Sequence, residues 1–192
     1  MVTVSSQPID VASLVDAITS GEARLGSTRL VAVDGPAGSG KTTLAERLRS
    51  HLLGVGVDVA LLHMDDLYDG WTGLDEALAG RVLAQVVQPL SSGTSARWQR
   101  YDWDAGRFGR WETLPPPAVL ILEGCGSGAR GYSSSTTLLV WVEAAKDTRI
   151  ARGVERDGSQ VLDHWLAWMD LEAEHFAVND TSRRADLRLI TD

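Results

Sequence analysis

The chain has 192 residues, enough for one well-buried domain, and its 44% hydrophobic and 23% charged content is that of a globular protein. Its 26 acids against 18 lysines and arginines leave a net charge of −8, which argues against coating nucleic acid or lying on anionic lipid. One cysteine, Cys125, excludes an intrachain disulfide and a cysteine-rich metal site. No apolar stretch reaches transmembrane length, "MVTVSSQPID" lacks the basic and apolar regions of a signal peptide, and a cytoplasmic location is expected.

In chain order, residues 9–20 predict a short amphipathic helix with Val11, Leu14, Val15 and Ile18 on one face and Gly21 as its stop. "RLVAV" (29–33) is an apolar strand running into a glycine-rich loop, and the following "TTLAERLRSHLL" places Leu44, Leu48 and Leu52 at helical spacing. "VDVALLHM" (57–64) is a second strand that ends at two adjacent acids, Asp65 and Asp66. Residues 74–90 form a helix striped by Leu74, Leu78, Val82, Val86 and Leu90. The polar, aromatic segment 91–117 predicts a hairpin bent around "DAG", and four of the chain's seven tryptophans (Trp71, Trp98, Trp103, Trp111) lie in or near it. "AVLILEG" (118–124) and "TLLVWVEA" (137–144) are buried strands. A helix starts near Lys146, and another over 161–176 buries Leu162, Trp165, Leu166, Met169 and Phe176 while turning Asp163, Asp170, Glu172 and Glu174 outward. "ADLRLI" (185–190) is the last strand. Strands that are continuous apolar runs, alternating with helices, predict a three-layer α/β sandwich around about five parallel strands.

"GPAGSGKT" fits G-x-x-x-x-G-K-[ST] between a strand and a helix, the setting its chemistry requires. Glycines let backbone N–H groups turn inward around phosphate oxygens, and the helix N-terminus adds partial positive charge. Gly35, Pro36, Ala37, Gly38, Ser39, Gly40, Lys41, Thr42 and Thr43 are therefore the expected nucleotide site. Lys41 would reach the β- and γ-phosphates of ATP, and the Thr42 hydroxyl would hold Mg²⁺. No guanine-reading N-K-x-D follows. Glu123 ends its strand where ligands bind in open α/β sheets, and is a candidate for the metal or an acceptor hydroxyl. Arg149, Arg152 and Arg156 share a helical face and suit a lid over the transferring phosphoryl group. His63 reads as a core or sheet-edge histidine and Cys125 as a small packed thiol.

The ordered series "GPAGSGKTT", "DDLY", "YDW", "LILEG", "DTRIARGVERD" and "ADLRLI" resembles the uridine kinase and phosphoribulokinase group of P-loop kinases over residues 29–190. The resemblance implies a sheet order of 2-3-1-4-5. It implies Asp65 as catalytic base beside Lys41 and the lid Arg152. Tyr68, Tyr101, Arg149 and Arg156 would line the acceptor, and Thr42, Glu123 and Asp65 would surround Mg²⁺. The chain departs from that pattern at Gly106, where uridine kinases carry a histidine, and after Asp157, where no further arginine occurs until Arg183. The expected activity is transfer of the γ-phosphate of Mg·ATP to a hydroxyl of a small molecule, with uridine and cytidine poor acceptors. The alternatives are a kinase of a pantothenate-like or sugar-like alcohol, and an ATP-binding module that acts through a partner.

Overall fold

A computed structural model describes residues 3–5 and 10–191, residues 3–5 by their backbone alone; residue 9 of the expected first helix lies outside the described residues. In chain order, strand β1 (Thr3–Ser5) precedes helix α1 (Val11–Ser20), which Asp10 caps by accepting from the Ala12 N–H at 3.1 Å. Strand β2 (Arg29–Asp34) leads through the glycine-rich loop into α2 (Lys41–Gly54), and β3 (Val59–His63) follows. Helices α3 (Glu76–Val82) and α4 (Gln88–Ser91) are joined by a π-helical turn (Leu83–Val87). The pair β4 (Ala96–Asp102) and β5 (Arg107–Leu114) forms the hairpin, and β6 (Val119–Glu123) and β7 (Thr136–Glu143) come next. Helices α5 (Lys146–Asp157), α6 (Leu162–Asn179) and α7 (Thr181–Arg184) precede β8 (Leu187–Ile190).

Among the described residues the main sheet has six strands, in the order β1-β8-β7-β2-β6-β3, with every pair parallel. The expected 2-3-1-4-5 arrangement is contained in it, and β1 adds an edge strand beside β8 that the sequence reading did not include. Alternation along β2 explains the layers. Val31 and Val33 face a core shared with α1 and α2, whereas Leu30 faces the core under α3 and the π turn. Helices and loops cover both faces of the central strands, so β6 is buried throughout and β2 carries a continuous apolar run over 30–33.

Two elements differ from expectation for local reasons. The helix expected over 74–90 begins at Glu76, because the Asp75 carboxylate accepts from the Ala77 and Leu78 N–H groups at 3.0 and 3.1 Å and so caps it. Its widened π turn lies just before Pro89, which has no N–H to donate to the carbonyl four residues back. In α6 the buried stripe is Trp165, Trp168, Met169 and Glu172; Leu166 is exposed, and Glu172 points inward. That places a carboxylate on the apolar face, and its partners lie in the site.

Candidate active site

The C-terminal ends of β2, β3 and β6 meet at one edge, about the strand where the sheet order reverses. This is the crevice that open α/β sheets use for ligands. A cleft of about 1480 Å³ opens there, lined by the glycine-rich loop, Asp65, Glu123, Arg152, Arg156 and a group of aromatic rings. Backbone geometry at its floor demands glycine. Gly35 has φ +144°, and a Cβ there would lie 2.0 Å from the Val142 carbonyl oxygen. Gly124 has φ +132°, and its Cβ would press on Met64.

Lys41 is buried, and its Nζ donates to the Pro36 carbonyl at 2.9 Å, within the loop it follows. Burial works against its charge, yet Cys125, Glu123, Asp34 and Glu172 outweigh that and raise its pKa. Burial also pushes the Cys125 thiol far up, so the three carboxylates rather than a thiolate supply the attraction. The Thr42 hydroxyl donates to Glu123 Oε1 at 3.1 Å. The other carboxylate oxygen, Oε2, lies 2.7 Å from His63 Nδ1. These two residues stand opposite each other in the β3–β6 register. The hydrogen bond to Glu123 raises the His63 pKa.

Asp65 lies beyond the end of β3, on the turn Met64–Asp66, and lines the cleft. Water still reaches it because the cleft is open, so its desolvation is partial. That desolvation and then the Glu123 charge raise its pKa, with Lys41 and Arg156 opposing. Asp66 turns away and pairs with Arg100 of the hairpin at 3.0 Å. The hairpin is tied back at the same place by the Trp103 indole N–H, which donates to the Asp65 carbonyl at 3.1 Å.

No family model matches the chain, and no curated protein matches its sequence. Solved structures do. One, described as a possible uridine kinase from Bacillus stearothermophilus, aligns with TM-score 0.70 at 18% identity over 93% of this chain and 96% of that one. D-glycerate 3-kinase from Cryptococcus neoformans var. grubii aligns with TM-score 0.66 at 15% identity over 96% of each chain. The chain has the P-loop kinase fold.

Within that kinase fold, the expected site residues divide. Lys41, Thr42, Thr43, Asp65, Tyr68, Glu123, Arg152 and Arg156 line one cleft, with Ala37, Gly38 and Gly40 of the loop. Tyr68 offers its ring alone, since its hydroxyl donates to the Cys125 carbonyl at 2.8 Å. Arg152 is held over the loop by the Gly38 carbonyl at 3.4 Å and the Thr191 hydroxyl at 3.0 Å. Arg156 is gripped by Asp157 through contacts of 2.7 and 2.8 Å.

Two of the expected acceptor residues are placed elsewhere. Arg149 is absent from the cleft lining, because Glu172 captures it at 2.8 Å behind the loop, where it also donates to the Ala37 carbonyl at 3.3 Å. Glu172 Oε2 accepts from the Ala37 N–H at 2.8 Å, so α5 and α6 brace the loop from outside. Tyr101 is buried within the hairpin, on β4, its ring packed on Trp103 and Phe108 with centroids 5.2 Å away in each case. It supports Trp103, which is the hairpin ring that lines the cleft. Gly106 sits at the hairpin tip with φ +63° and open space around it.

Sequence reasoning missed three groups. Asp34 ends β2 fully buried, and accepts from the N–H groups of Gly35 at 2.7 Å, Gly126 at 3.0 Å and Gly128 at 2.8 Å, joining the loop after β2 to the loop after β6. Burial pushes its pKa up to about 6 against those donors and Lys41. An acid between an apolar run and a glycine loop was the available signal. His63 becomes a partner of Glu123 only once the β3–β6 register is known. Trp165 and Trp168 extend the cleft wall beyond the expected lid into α6.

Mg²⁺ suits the donor set. Thr42, Glu123 and Asp65 offer hard oxygen atoms, and Mg²⁺ typically keeps several waters and takes only one or two protein carboxylates. A cluster of three or more histidine, cysteine, aspartate or glutamate side chains, which the described residues do not contain, is not required.

Proposed function

We propose that this chain is an ATP-dependent kinase that moves the γ-phosphate of Mg·ATP to a hydroxyl of a small molecule. One observation carries the reading. Asp65, Lys41 and the Thr42–Glu123 pair, from three separate strand ends, face a single cleft. Phosphoryl transfer to an alcohol needs a base at the acceptor, a cation at the phosphates and oxygen ligands for Mg²⁺, which neutralises charge on the phosphate oxygens when bound. Asp65 is assigned to orient the acceptor hydroxyl and take its proton. Lys41 is assigned to the β- and γ-phosphates. It exchanges its bond to the Pro36 carbonyl for phosphate oxygens. The Ser39 hydroxyl, buried in the loop with no hydrogen-bond partner among the described residues, is a further donor for an anion there. Arg152 and Arg156 bring positive charge from α5 over the same space.

The fold does not choose the acceptor, since structural neighbours are named for uridine and for glycerate. Trp103, rather than a histidine at position 106, meets the cleft from the hairpin, which supports poor use of uridine and cytidine. A cytoplasmic setting fits a kinase of this kind. Among the described residues, no helix is long and apolar enough to cross a membrane.

Thermal melting with and without Mg·ATP tests the nucleotide assignment. The wild type is expected to gain several degrees at saturating nucleotide, as a ligand bound only to the native state stabilises it by mass action. Lys41→Ala should lose most of that gain. An unchanged gain in the variant removes Lys41 from the site.

A further inference from the structure

The acceptor half of the cleft has a wall unlike its phosphate half. Trp71 stands at its centre, with Trp103 5.6 Å away at 73° and Trp168 6.2 Å away at 81° between ring planes. His164 stacks on Trp71 at 15°, fixing the indole in place. Three indoles meeting near right angles make a corner, and Trp103 at its mouth is 41% exposed, an apolar ring awaiting a cover. Tryptophan faces are the strongest aromatic partners for a cation.

Acids stand beside these indoles: Asp65 accepts from the Trp103 N–H through its backbone carbonyl, Asp104 follows Trp103 in the chain, and Asp157 accepts from the Trp165 N–H at 3.0 Å. The cations that line the cleft are Lys41, Arg47, Arg152 and Arg156, and Arg47 belongs to α2 beyond the glycine-rich loop. Both Asp157 oxygens already engage Arg156, whose guanidinium lies 5.6 Å over the Trp165 ring. The chain thus seats one of its own cations on this wall, against indole and carboxylate together. Arg152 is committed to Thr191 and Gly38, and Lys41 faces the phosphates. An alcohol carrying a carboxylate would meet acids and indoles here, and Arg156, the cation beside Trp165, is already paired with Asp157.

Resting on the kinase reading above, we propose that the acceptor alcohol carries a cationic head group, seated against Trp71, Trp103 and Trp168 with Asp104 beside it, and that anionic alcohols are excluded. The hydroxyl would then lie toward Asp65, whose backbone carbonyl already holds Trp103.

Three meta-substituted benzyl alcohols test this by tryptophan fluorescence titration of the full chain: 3-(hydroxymethyl)-N,N,N-trimethylanilinium, its uncharged isostere 3-tert-butylbenzyl alcohol, and the anionic 3-(hydroxymethyl)benzoate. The cation is expected to bind about tenfold or more tighter than the isostere, with the benzoate weakest. Trp103→Leu should erase the difference between cation and isostere, while an unchanged Mg·ATP melting shift shows that the variant is folded with its loop intact. Equal binding of cation and isostere overturns the proposal, as do tighter binding of the benzoate, no binding of any of the three, and a preference that survives Trp103→Leu. Binding is read here without turnover. A failure of the kinase reading would instead appear as absent ADP formation with the binding preference retained.

Discussion

Replacing Asp65 by asparagine removes the carboxylate that faces Lys41 and Arg156 across the cleft, and keeps the side chain's shape. Turnover is expected to fall by about 10² or more at unchanged ATP affinity, the usual worth of a positioned general base. Asp66→Asn loses only the partly exposed pair with Arg100, a contact of the kind worth below about 1 kcal/mol. Steady-state assays of both variants decide between them, and a larger loss of kcat in Asp66→Asn would contradict the assignment. Asp34 supports a second prediction, on stability. Its folded pKa of about 6 exceeds the ordinary 3.8, so between those values the native state holds more protons than the unfolded chain. Its contribution is fully present below pH 3.8 and is lost as pH rises through 6, by up to about 3 kcal/mol. The stability advantage of wild type over Asp34→Asn should therefore be larger at pH 4.5 than at pH 7.5, read from urea midpoints at each pH. An advantage that grows with pH would contradict the burial account. The position of Asp65 at the cleft was legible in the sequence because it follows an apolar run. Asp34 does so too, but its role appears only when the loop after β6 is seen to turn its N–H groups toward it.

Glu172 shows how an element can defeat a periodicity argument. An amphipathic reading of 161–176 turns every acid outward, yet 165, 168, 169 and 172 are the positions one helical face brings together. The carboxylate is tolerated there because Arg149 and the Ala37 N–H meet it, partners that belong to other elements. The same pairing explains why three arginines at helical spacing do not act alike: Arg149 braces the loop from behind, while Arg152 and Arg156 reach the cleft. Removing one partner of a buried pair leaves the other charged and unpaired. Glu172→Ala should cost about 3–5 kcal/mol, and Arg149→Met with Glu172→Leu should cost less than that single change. Denaturant midpoints of the single and double variants measure this. A loss below about 1 kcal/mol in Glu172→Ala would show that the brace is not under load.

At the scale of the whole molecule, alternating strands and helices, apolar runs on the central strands and one glycine-rich motif were enough to place the sheet edge where the cleft opens, because those signals are local. The edge strand β1 and the wall made by Trp165 and Trp168 were not readable, since each depends on which distant segment lies beside it. The same holds for the hairpin, where the aromatic that meets the cleft is Trp103 and not its neighbour Tyr101. The most direct measurement of the central claim is ADP formation from Mg·ATP by the full chain, with and without a panel of small alcohols, beside Lys41→Ala, with the phosphorylated product detected by mass. The account predicts ADP formation that rises strongly with an acceptor alcohol, equals the phosphorylated alcohol mole for mole, and is absent in Lys41→Ala. ADP formation that is the same with every alcohol as with none, or that survives Lys41→Ala, would contradict it.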